Sequence, residues 1–142
     1  MNKSILVAVD LAHPEDAASL LERGVYEAKE GNAHLAVVTV IPDYGMSIVG
    51  SFFQEGADEE ALKYAAERLH ALTATCLGAD RKVQHVVRRG NAYEGILIAA
   101  DEVGADLIVI GAHKPDVRDY LLGPNSARVV RHAQASVLVV RR

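Results

Sequence analysis

A chain of 142 residues, half of them apolar, with a net charge of −4 and one cysteine, can bury a sizeable core but cannot form an internal disulfide. The acidic balance argues against nonspecific nucleic-acid binding, which draws on basic surface, and no Cys/His spacing fits a zinc site. No apolar stretch approaches the ~18 residues of a membrane span, and Met-Asn-Lys-Ser before a short apolar run does not read as a secretory leader. The expectation is one domain over residues 1–142 in a reducing, cytoplasmic setting, with no membrane partner.

Residues 4–9 are a continuous apolar run ending at Asp10, as in a strand buried on both faces. Residues 14–30 read as a helix: Pro14 suits the first turn, Glu15 and Asp16 favour the positive helix start, and Gly31 is the expected stop. Residues 35–41 are a second strand. Residues 42–56 hold three glycines, a proline and scattered apolar side chains, and read as a loop able to cover something. A helix is expected over 58–77, with Tyr64, Leu69, Leu72 and Cys76 in the core. Residues 82–88 alternate in part, as an edge strand does. A helix over 93–103, a strand over 106–110, a polar loop to Gly123, a helix over 125–133 and a strand over 137–140 complete the chain. This alternation predicts a parallel sheet with right-handed crossovers and helices on both faces.

In open α/β sheets ligands sit beyond the carboxyl ends of strands, where the winding reverses. Those ends carry Asp10, Val40 and Gly111. The loop after Gly111 leads to a helix start, whose unpaired N–H groups suit phosphate. Neither of the common glycine-rich phosphate motifs is present.

Four segments then carry a resemblance: Ile-Leu-Val-Ala-Val-Asp10, Asp106-Leu-Ile-Val-Ile-Gly-Ala-His113, Tyr120-Leu-Leu-Gly-Pro-Asn-Ser126 with the helix after it, and Ser136-Val-Leu-Val-Val-Arg141. Together they resemble the universal stress protein family, in its subgroup with the Tyr-Leu-Leu-Gly-x-Asn loop. The resemblance implies an open, doubly wound, Rossmann-like sheet of order 3-2-1-4-5, of the adenine nucleotide alpha hydrolase-like kind. It also implies an ATP pocket. Ala8, Val9 and Asp10 would hold the ribose or adenine side, and the Val40 main chain would face adenine. Ile110, Gly111, His113 and Lys114 would line the near wall. Gly123, Pro124, Asn125 and Ser126 would meet the phosphates, and Mg²⁺ would accompany them, with Asp10 and Asp43 as its candidate carboxylates. The family pattern Gly-x2-Gly-x9-Gly-Ser/Thr is broken here by Lys114 and by Pro124. The proline removes a hydroxyl and a backbone N–H, up to two phosphate donors; Lys114 or Arg118 would compensate. Pairing through the last strand, residues 137–140, would give an isologous homodimer, since an apolar edge strand associates unless covered.

Each site residue also has a plainer reading. Asp10 can cap its turn, His113 can be an exposed loop residue, Gly123 a turn glycine, and Pro124 to Ser126 a bare helix start. Lys114, Arg118, Arg128 and Arg131 read as a solvated face. The favoured function is a small dimer that binds ATP or another adenine nucleotide in the stress response. The alternatives are an interaction protein that has lost phosphate binding, and a slow ATPase or self-phosphorylating protein.

Overall fold

Five apolar runs form five strands because each must hide side chains on both faces. The structure, a computed structural model, describes residues 3–29, 31–42, 57–112 and 122–141. Strands β1 (Ser4–Ala8), β2 (His34–Ile41), β3 (Gln84–Arg89), β4 (Leu107–Gly111) and β5 (Ser136–Val140) are all parallel, in the order β3-β2-β1-β4-β5. This is the expected doubly wound sheet.

Ile5, Leu6 and Val7 are successive and fully buried, because alternate side chains of a strand enter opposite cores. Ile5 and Val7 join Val37 and Val109 in a core with Leu20, Leu21 and Leu69, from α1 (Pro14–Lys29) and α2 (Ala57–Leu77). Leu6 joins Val38 and Ile108 in the other core with Ile96, Ala99 and Val129, from α3 (Ala92–Val103) and α4 (Leu122–His132). β3 and β5 form the two edges and are only half-buried over most of their length.

Helix α1 ends before Gly31, the expected stop, and the residue that turns left-handed after it is Asn32, at φ 48°. Asparagine tolerates that conformation, and the turn is closed by Ala33 N–H on the Ala28 carbonyl at 3.0 Å. Helix α4 starts at Leu122, not Asn125. A residue before proline is normally driven from helical geometry by its Cβ; here that residue is Gly123, so the helix runs through, and Pro124 falls in the first turn, where its missing N–H costs no helical bond. Tyr64, expected in the core with Leu69, is 63% exposed. The loop 42–56, apart from Pro42, lies outside the described residues.

Candidate functional site: a cleft at the carboxyl ends of β1 and β2

Ala8 and Val38 pair where β1 ends. Beyond them opens a cleft of about 640 Å³, within the range of small-molecule sites. Ala8, Val9 and Val40 floor it, α2 contributes Tyr64 and Arg68, and α3 contributes Ala92 and Ile96 behind the turn Gly90-Asn91. Asn125 reaches it from α4. The walls are mainly apolar, and among the described residues the charged lining groups are Asp10 and Arg68.

Asp10 does two things at once. Its Oδ1 accepts the Ala12 N–H at 2.9 Å and its carbonyl accepts the His13 N–H at 3.0 Å, so it shapes the turn into α1, as the plainer reading expected. It also lines the cleft, half-buried. The Val40 main chain follows from strand geometry. Alternate residues of a parallel strand turn their peptide groups to the same neighbour. The Val38 carbonyl accepts from Val9 N–H at 2.9 Å; Val40, two residues on, therefore turns its N–H and C=O the same way, past the end of β1.

Of the expected site residues, the cleft brings together Ala8, Val9, Asp10, Val40 and Asn125. Ile110 is buried in the α3/α4 core. Gly111 does not line the cleft as described; its carbonyl accepts the Ser126 hydroxyl at 2.9 Å, which ties α4 to the end of β4. The Asn125 Oδ1 accepts the Tyr93 N–H at 3.2 Å. It thereby caps α3 in place of Asn91, whose own side chain makes no capping bond. His113 and Lys114 lie outside the described residues, as do Arg118 and Asp43, and for Gly123 and Pro124 only the helical backbone is described. Arg128 and Arg131 are exposed, as expected. For Mg²⁺, Asp10 offers a single carboxylate with one oxygen on a backbone N–H, too little to fix the ion without ligand phosphates.

Tyr64, Arg68 and the Gly90-Asn91-Ala92 turn were not anticipated. Helical spacing places Tyr64 and Arg68 on one side of α2, and that was the available signal. The cation sits 5.8 Å from the Tyr64 ring centroid, and its Nη2 donates to the Leu11 carbonyl at 3.0 Å.

The α2 wall is held to edge strand β3 by a polar cluster. The His70 and His85 rings stack at 3.6 Å, and His85 Nε2 lies 2.7 Å from the hydroxyl of buried Thr73. Burial, then the neighbouring His70, pushes the His85 pKa below its ordinary 6.5. Below that pH the unfolded chain takes up a proton that the folded chain resists, so this contribution is present above 6.5 and is lost as pH falls toward the lower folded value. The expected result is a urea midpoint that declines on acidification from about pH 7, with a shallower decline in His85→Gln. Equal slopes in the two proteins would contradict it.

Fold and cleft together define a doubly wound α/β protein with a small-molecule-sized site at the carboxyl edge of its sheet. The sequence model of the Universal stress protein family matches residues 1–141, and the chain belongs to that family. Universal stress protein G of Escherichia coli O157:H7 is 33% identical over 147 residues, covering 99% of this chain and 100% of the relative. The solved universal stress protein UspA from Lactobacillus plantarum superposes with a TM-score of 0.68 at 26% identity, covering 98% of this chain and 97% of that one. A universal stress protein solved in complex with cAMP has the same fold, with a TM-score of 0.59, 24% identity and coverage of 98% and 97%. Among the described residues no helix is long and apolar enough to cross a membrane.

Proposed function

We propose that this chain is an adenine-nucleotide-binding module of the stress response. ATP is its ligand, Mg²⁺ enters with the phosphates, and residues 1–142 act as one cytoplasmic unit. The observation that carries the reading is the cleft in which the Val40 peptide groups and the Asp10 carboxylate share an apolar pocket. The Val40 N–H and C=O offer a donor and an acceptor to the edge of a base. The Asp10 carboxylate offers acceptor capacity to sugar hydroxyls, and Ala8, Val9 and Ile96 exclude water from a flat ring. The solved relative holding cAMP supports a nucleotide in a fold of this kind.

The module works as a homodimer. β5 pairs only with β4 among the described strands and leaves Val137 to Val140 half-exposed; a second copy laid against that apolar edge would cover it.

A second reading has its own observation. The Ser126 hydroxyl is donated inside the protein, to the Gly111 carbonyl, and Pro124 brings no N–H, which suits an interaction protein without phosphate binding. Denaturing the purified protein and chromatographing what it releases separates the two. Adenine nucleotide near one per chain is the expected result. Protein that releases none, and takes up none when supplied with it, favours the second reading.

A further inference from the structure

The α4 start is poor in phosphate donors: Pro124 has no N–H, and the Ser126 hydroxyl donates to the Gly111 carbonyl. A ligand carrying several negative charges needs cationic donors from elsewhere in the cleft. Arg68 is the base among the described lining residues. Its side chain is exposed, and no carboxylate among the described residues pairs with it. One of its nitrogens is anchored on the Leu11 carbonyl, next to Asp10, and its charge lies over the Tyr64 ring, one helical turn back. The anchoring uses one donor of the five a guanidinium carries, and the planar fork matches phosphate oxygens. An arginine held by one bond, with no acid among the described residues to neutralise it, at the mouth of an apolar cleft is arranged to receive an anion.

Resting on the nucleotide reading above, we propose that Arg68 is the specificity-determining cation of this cleft. Through it the site selects phosphorylated adenosine over adenosine itself, replacing from α2 the donors that α4 lacks. Asp10 and Val40 then serve the nucleoside, and Arg68 serves its phosphates.

Calorimetric titration of the full chain with ATP and with adenosine tests this, using wild type, Arg68→Gln and Arg68→Lys, each with its melting temperature. Loss of a charge-assisted hydrogen bond is expected to weaken ATP binding about tenfold to a hundredfold in Arg68→Gln. Adenosine should bind that variant as it binds wild type. Arg68→Lys, which keeps the charge and loses the fork, should fall between the two. High salt should weaken ATP binding by wild type more than by Arg68→Gln. Unchanged ATP affinity in a folded Arg68→Gln overturns the proposal. So do equal losses for ATP and adenosine, which would make Arg68 only the anchor of the Leu11 turn. Wild type that binds adenosine as tightly as ATP overturns it while leaving a nucleoside pocket. Wild type that binds neither overturns the nucleotide reading itself, and this proposal with it.

Discussion

Gly95→Ala is expected to lower both the stability of the fold and its affinity for nucleotide. Helix propensity alone predicts the reverse, since alanine is favoured over glycine in a helix by about 1 kcal/mol. Packing decides the sign. Gly95 is buried in α3, where an added Cβ would lie 2.7 Å from Val40 Cγ2, 3.1 Å from Val40 Cγ1 and 3.4 Å from Arg88 Cβ. Val40 is β-branched and stiff at χ1, and its strand is fixed by pairing with Arg88 on β3. Overpacking of this kind costs about 1–3 kcal/mol, enough to outweigh the propensity gain. A net loss of about 1 kcal/mol lowers Tm by about 3–4 °C in a chain of this size. The relief open to Val40 is displacement of the cleft floor, so ATP affinity should fall about tenfold, the equivalent of about 1.4 kcal/mol. Thermal melts and titration check both. A variant that melts no lower than wild type and binds ATP equally would contradict the packing argument.

Asp10→Ala is expected to weaken ATP and adenosine alike, in contrast to Arg68→Gln. The carboxylate borders the cleft while Oδ1 holds the Ala12 N–H, so the substitution removes both an acceptor for ligand hydroxyls and the turn that positions it. Hydrogen bonds to charged groups contribute about 1.5–3 kcal/mol, which predicts a loss of about tenfold to a hundredfold for both ligands. Asp10→Asn keeps a side chain able to make the same turn and separates the two roles. Its stability should stay near wild type, with ligand affinity still reduced. Full affinity in Asp10→Ala would remove Asp10 from the site.

Much of the fold was legible because parallel strands buried on both faces need unbroken apolar runs. The runs around Leu6, Val37 and Val109 have no other use in a chain of this length. Order along the sheet came from the resemblance rather than from periodicity. Tyr64 shows where apolar character misleads. It stands five residues before Leu69, about 140° round the helix, so spacing sets it off the core face, and because the amino-terminal turns of a crossover helix stand past the carboxyl ends of the strands it borders the cleft. The same overhang hid Arg68. Asp10 and Val40 were legible because they end strands at a place where such sheets bind ligands. Asn125 was recognised as part of the site, but its capping of α3 at Tyr93 joins two helices thirty-two residues apart, and no local pattern encodes that contact. The α4 start was misplaced because Pro124 reads as a first helical residue unless the residue before it, Gly123, is weighed as lacking a Cβ.

The central claim is that the cleft between Asp10 and Val40 holds an adenine nucleotide. Calorimetric titration of ligand-free protein with ATP and Mg²⁺ tests it most directly. The account predicts saturable binding near one ATP per chain, with adenosine binding more weakly at the same site. No heat with either ligand, from folded protein shown to carry no copurified nucleotide, would contradict it.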